Sequence, residues 1–172
     1  RSTDAADKNI IEGIRWLGLN WDNEIVYQSK NVNRHKEIAL KLLEDGKAYK
    51  CYCTQDELEE MRVNAISKKK STFYTNKWRD REPSEEDKKI KPVIRIKTPV
   101  NGVTEINDSV QGIVRYENQD LDDFIIVRSD DSPTYLLASA VDDHDMGITH
   151  IIRGDDHLNN AARQYQIFMA MD

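Results

Sequence analysis

Between Pro92 and Val127 the chain runs through four short β-type segments, residues 93–97, 103–106, 112–116 and 124–127, punctuated by Pro99, Asn101-Gly102 and Asn107-Asp108. Val, Ile, Phe and Tyr between such turn formers read as strands joined by tight connections. Helical patterns lie on both sides. Residues 4–17 carry Ile10, Ile11, Ile14 and Leu17 at helical spacing behind Thr3 or Asp4 as N-cap, and Gly18 ends the pattern. Residues 34–45 repeat it with Ile38, Ala39, Leu42 and Leu43, and Gly46 stands where a left-handed cap is expected. Residues 48–53 alternate as a short strand, after which Thr54 and Glu57 form a capping-box signature for a helix carrying Leu58 and Met61. A polar stretch to Lys91 reads as a loop or mobile insert. Beyond Ser132 a helix is expected over 134–141, a buried parallel strand over 149–152, and a helix over 158–171 behind Asp155 or Asp156 as N-cap. A helical start, a β-rich insert and a return to an α/β layer follow, with a substrate pocket at the carboxyl end of a parallel sheet.

At 172 residues and 38% hydrophobic composition the chain can bury a real core. No apolar run approaches the roughly 20 residues that span a bilayer, and no signal peptide opens the sequence, so a soluble cytoplasmic protein is expected. Cys51 and Cys53 are the only cysteines and too close for an easy disulfide. The formal net charge is −6, yet residues 62–97 hold twelve Lys and Arg against five Asp and Glu. A basic segment in an acidic body suits either a phosphate-bearing partner or a solvated loop. The chain contains no P-loop, GxGxxG, GxSxG or HExxH pattern, which removes the common phosphate-loop, serine-hydrolase and zincin chemistries.

Arg153 is the best single candidate for chemistry. It follows the apolar 149–152 run and precedes Gly154, so its planar fork is expected at a strand's edge, gripping a carboxylate or phosphate, or else ion-paired to Asp155, Asp156 or Asp142. Tyr135, after Pro133-Thr134, either points its hydroxyl into a cleft or anchors its helix as a half-buried aromatic. Asp142, Asp143, His144, Asp145, His150, Asp155, Asp156 and His157 have the residue types of a hydrolytic metal site, but capping and solubility explain acids at helix ends equally well. Cys51-x-Cys53 offers half of a zinc site, or two reduced thiols in a strand.

Five segments in order carry a resemblance: Trp16-Leu17-Gly18-Leu19 with Trp21-Asp22; Ala48-Tyr49-Lys50-Cys51-Tyr52-Cys53-Thr54; Pro133-Thr134-Tyr135; Val141-Asp142-Asp143-His144-Asp145-Met146-Gly147; and Ile152-Arg153-Gly154-Asp155-Asp156-His157. Through them nearly the whole chain resembles the catalytic region of the bacterial glutamyl-tRNA synthetases, class I aminoacyl-tRNA synthetases. The resemblance implies an α/β fold, a partial Rossmann-type nucleotide-binding fold interrupted by an α+β connective-peptide insert. Residues 1–48 would end the first Rossmann half, 49–130 form the insert that holds the tRNA acceptor end, and 131–172 start the second half.

It also implies that Tyr135 and Arg153 bind glutamate, with Arg153 on a carboxylate, that Asp156 lies near ATP, and that Arg1 lies near the tRNA. Substrates would be L-glutamate, ATP with Mg2+ and tRNA-Glu, joined through glutamyl-adenylate by a cytoplasmic monomer with no membrane partner. Zinc-bearing members have a second ligand pair where Trp78 and Asp80 align, so no zinc is expected. The shorter paralogue that glutamylates a modified base of tRNA-Asp, and a catalytically silent module binding the tRNA acceptor end, are the alternatives. The family's HIGH and KMSKS motifs are not in the sequence, which reads as an internal fragment. The expected outcome is that these 172 residues alone form no glutamyl-adenylate; ATP–pyrophosphate exchange by the isolated chain with cognate tRNA would overturn this.

Overall fold

Successive side chains of a strand point to opposite faces, and the first strand uses this to separate two cores. The structure, a computed structural model, describes residues 3–70 and 74–172. Strand β1 (Ala48–Cys51) turns Ala48 toward a core shared by helices, and Tyr49 and Cys51 toward an aromatic one. It pairs with β2 (Val93–Ile96), which pairs with β5 (Ile125–Val127), in the order β1-β2-β5, and both pairings are antiparallel. The remaining strands, β3 (Val103–Asp108) and β4 (Gly112–Glu117), form a hairpin in register from Val103 opposite Glu117 to Asp108 opposite Gly112. Asp108 holds its turn by accepting from the amides of Val110 and Gln111, both at 2.8 Å.

The helices follow their caps. Thr3 accepts from the Ala6 amide to open α1 (Asp4–Trp16), and Thr54 with Glu57 completes the expected capping box of α3 (Gln55–Ser67). Helix α2 (Val32–Glu44) ends at Gly46, whose φ of 69° lets the amides of Gly46 and Lys47 turn back onto Leu43 and Leu42. Helices α4 (Tyr135–Asp145) and α5 (Leu158–Met171) pack against α2 and one sheet face. Ile38 and Leu42 of α2, Ile96 and Ile126 of the sheet, Leu137 and Val141 of α4 and Ile167 of α5 make this core. Three stretches of sequence therefore share one interior.

Two expectations change. Residues 149–152 form no strand: Ile152 is wholly exposed, and every ladder among the described residues is antiparallel, so the expected parallel sheet is not there. The short segment Thr149-His150-Ile151-Ile152 could become a strand only if a neighbour satisfied its backbone, and no described strand runs beside it. The cap of α5 is His157, because Asp155 and Asp156 are taken into a one-turn 3₁₀ helix (Asp155–His157) leading into it. The apolar face of α1 also stays out of both cores, with Ile10 and Leu17 exposed. No described helix is long and apolar enough to cross a membrane.

The second core surrounds a buried carboxylate. Asp123, fully buried just before β5, accepts from Tyr49 Oη at 2.9 Å, from Arg79 NH1 at 2.8 and 3.0 Å, and from the amide and hydroxyl of Thr98, both at 2.9 Å. Removing the charge while keeping the volume leaves those donors facing an amide. The Asp123→Asn substitution is expected to cost about 3 kcal/mol, read as a lowered urea midpoint at unchanged slope. A loss under about 0.5 kcal/mol would show that Arg79 and Thr98 find solvent partners instead.

Candidate ligand site on one face of the fourth helix

The turn that delivers Tyr135 is stapled to β5. Thr134 donates its amide to the Ile126 carbonyl at 2.9 Å and its hydroxyl to the Ile125 carbonyl at 3.1 Å, and the preceding Asp131 takes a left-handed φ of 61°. Tyr135 is thereby the first residue of α4, its side chain half exposed on a groove of about 580 Å³ that Ile10, Ile25, Val26, Gln28 and His35 also line.

Positions four apart on a helix share a face, so Tyr135, Ser139 and Asp143 form one row. Arg153 meets that row from the irregular segment before α5. Its NH1 donates to Gln164 Oε1 at 2.8 Å, and Gln164 Nε2 donates to Ser139 Oγ at 2.9 Å. Burial pushes the Asp143 carboxyl up, an effect opposed by the Arg153 charge and by a hydrogen bond from Ser139. The row from Tyr135 to Asp143 spans two helical turns and more, roughly 12 Å, and Arg153 is tied to its middle residue, Ser139, through Gln164. None of the ion pairs first considered for Arg153 is made; a neutral amide holds it instead.

Asp156 is not drawn into this row. It is exposed, with Oδ2 at 3.6 Å from His157 Nε2, and its Oδ1 would lie 2.5 Å from a Cβ at Gly154, so it folds back over that glycine. Arg1 lies outside the described residues. Gln164 and Ser139 were missed by sequence reasoning; the one signal was a glutamine three residues before Ile167 in the buried stripe of α5.

The acids of the 142–145 cluster serve α2. Asp142 accepts from His35 Nε2 at 2.8 Å and from the side chains of Asn31 and Gln28, both at 3.1 Å, and Asp145 takes both Arg34 Nε and NH2 at 2.8 and 3.2 Å. Arg34 holds the Asp145 carboxyl below its ordinary range. Among the described residues no three His, Cys, Asp or Glu gather as a metal would require.

At the aromatic core, Tyr74 donates its hydroxyl to Cys51 Sγ at 3.4 Å, and Arg95 stacks over the Tyr74 ring at 3.6 Å. Hydrogen bonds from Cys53 and Tyr74 and the Arg95 charge hold the Cys51 thiol down, while sharing that bond and burial push Cys53 up. Trp78 is buried against Tyr52, ring centroids 5.1 Å apart, with Arg81 over its face at 4.4 Å. Asp80 is exposed and pairs with Lys97 at 3.2 Å.

The basic segment carries much of its own neutralisation. Lys77 pairs with Glu57, Arg79 with Asp123, Arg81 with Asp87, Lys88 with Glu85, Lys89 with Glu86 and Lys91 with Asp131. Lys68, Lys69 and Lys70, where α3 ends, are in no ion pair among the described residues.

The family model described as tRNA synthetases class I (E and Q), catalytic domain, matches residues 1–172. A glutamate–tRNA ligase of Afipia carboxidovorans is 54% identical over 171 residues, 99% of this chain and 36% of the relative. Glutamate–tRNA ligase 2 of Brucella ovis is 57% identical over 171 residues, with the same two coverages of 99% and 36%. The chain thus spans little more than a third of the length of these curated relatives. The crystal structure of a glutamate tRNA ligase from Elizabethkingia meningosepticum, in complex with its amino acid, superposes with a TM-score of 0.83 at 28% identity, covering 99% of this chain and 38% of that one. The glutamate-tRNA synthetase of Elizabethkingia anophelis superposes with a TM-score of 0.82 at the same 28% identity. The chain belongs to the family of the tRNA synthetases class I (E and Q), as part of their catalytic domain.

Proposed function

We propose that this chain is part of the catalytic region of a glutamate–tRNA ligase, which joins L-glutamate to tRNA-Glu at the expense of ATP. The observation that carries the reading is the guanidinium of Arg153 set beside the Tyr135-Ser139-Asp143 row of α4. In the proposed reaction a glutamate carboxylate oxygen attacks the α-phosphorus of ATP, pyrophosphate leaves, and the acyl-adenylate passes its glutamyl group to a hydroxyl of the terminal tRNA adenosine, releasing AMP. No enzyme nucleophile is needed, so the protein's part is positioning and charge stabilisation.

Within that scheme Arg153 holds the side-chain carboxylate. A bidentate fork on the attacking carboxylate would withdraw the electrons that must reach phosphorus, whereas on the other it only anchors. Tyr135 supplies a hydroxyl and an aromatic wall at the far end of the row, and Asp156 faces ATP with its Mg2+. Residues 49–130 form the insert for the tRNA acceptor end, with Lys68, Lys69 and Lys70 as its phosphate contacts and Arg1 near the same partner. Residues 1–48 and 131–172 belong to the two Rossmann halves. We further assign the protein to the cytoplasm, as a monomer without a membrane partner. The paralogue acting on tRNA-Asp is the weaker reading, because the curated relatives are named glutamate–tRNA ligases.

Two outcomes are expected. In the enzyme that carries this chain, Arg153→Ala lowers kcat/KM for glutamate by about 10²-fold or more through KM, leaving KM for ATP nearly unchanged; equal losses for both substrates would remove Arg153 from the glutamate site. Zinc does not fit the residues present. Cys51 and Cys53 are two thiols where four ligands are needed, Cys51 already bonds Tyr74, and buried Trp78 and ion-paired Asp80 stand where the second pair would be. Elemental analysis should find no stoichiometric zinc, and a bound equivalent would refute the assignment.

A further inference from the structure

Arg153 lies in a segment, residues 148–154, that has no helix or strand to fix it, and Ile151 and Ile152 beside it are exposed. What holds its guanidinium is a directed chain of hydrogen bonds. Arginine can only donate, so Gln164 must turn its carbonyl oxygen to Arg153 and its NH2 to Ser139, whose Oγ accepts. Gln164 itself is almost fully buried, 3% exposed, on an α5 packed against α4. Its side chain therefore has one orientation and hands that orientation to Arg153.

The residue type matters as much as the geometry. A carboxylate at position 164 would hold Arg153 equally well but would add a second negative charge to that of Asp143, which already senses the guanidinium, whereas a neutral amide orients the fork and adds none. We propose that Gln164 is a positioning residue that aims Arg153 while keeping it electrostatically available, and so sets the preference for a carboxylate-bearing side chain over its amide. This rests on the reading of Arg153 as the group that binds the glutamate side chain.

The test uses the ligase that carries this chain, with steady-state kinetics for L-glutamate, L-glutamine and ATP and a melting curve for each variant. Gln164→Met keeps the volume and removes both hydrogen bonds. It should raise KM for glutamate on the order of tenfold while KM for ATP stays within about twofold, and in combination with Arg153→Ala should add nothing to the single Arg153→Ala loss. Should Gln164→Met prove unstable, Gln164→Glu keeps a polar partner for both neighbours. It should also raise KM for glutamate, and it should narrow the margin over glutamine by neutralising the fork. An unchanged glutamate KM in a folded Gln164→Met or Gln164→Glu variant overturns the inference, as does full additivity in the double variant. Arg153→Ala with an unchanged glutamate KM would instead withdraw the reading of Arg153 on which the inference stands.

Discussion

A carboxylate sealed from water is tolerable only if its lone pairs are filled, and Asp123 imposes that condition on three parts of the chain. Tyr49 comes from β1, Arg79 from the loop before the 3₁₀ turn at Asp87–Lys89, and Thr98 from just past β2, while the backbone carbonyl of Asp123 itself accepts from Arg95 at 2.6 Å. An isolated buried charge of this kind would cost several kcal/mol, so the surrounding donors are not free to wander. The consequence is a fixed relation between the 74–92 stretch, which has little regular structure of its own, and the β1-β2-β5 sheet. The same charge sets where β5 begins, and β5 leads directly into the Tyr135 turn.

On the other side of the sheet a second polar staple does the corresponding work for α4. Asp142 accepts from His35 Nε2, leaving Nδ1 buried on the groove wall with no hydrogen-bond partner among the described residues. With Asn31 and Gln28 on the same carboxylate and Arg34 on Asp145, α2 grips α4 through its last turn. Hydrophobic contacts through Leu42, Leu137 and Val141 supply the attraction, but they would tolerate rotation of one helix against the other. The directed bonds do not, and the Tyr135-Ser139-Asp143 row faces where it does because of them.

Local chemistry was readable from the residues wherever a segment satisfies itself. The capping box at Thr54 and Glu57, the left-handed Gly46 and the β3-β4 hairpin all appear because their donors and acceptors lie within a few residues. Residues 149–152 failed for the complementary reason: an apolar run states that a segment can pair and is silent on whether an edge is available. Gln164 was invisible for a third reason. Its function is defined by Arg153 and Ser139, 11 and 25 residues away, and a lone polar residue in an apolar stripe gives no hint of such partners. The partners of the acids at 142–145 were hidden for the same reason, since His35, Asn31 and Arg34 reach them from across more than a hundred residues.

The charge pattern has a similar lesson. Twelve basic residues against five acidic ones over 62–97 suggest a broad positive field, but most of those side chains are matched to nearby carboxylates. Exposed pairs of this kind contribute little to stability, yet each removes a charge from the field that a polyanion senses. What is left is concentrated: Lys68, Lys69 and Lys70 follow one another where α3 ends, with Lys69 in a left-handed backbone conformation of φ 52°. A phosphate backbone responds to the few cations close enough to displace its counterions rather than to a segment's net charge. An overall charge of −6 is therefore no obstacle to an RNA partner, because the acidic excess lies in the body of the chain and three lysines in no ion pair among the described residues sit together at one helix end.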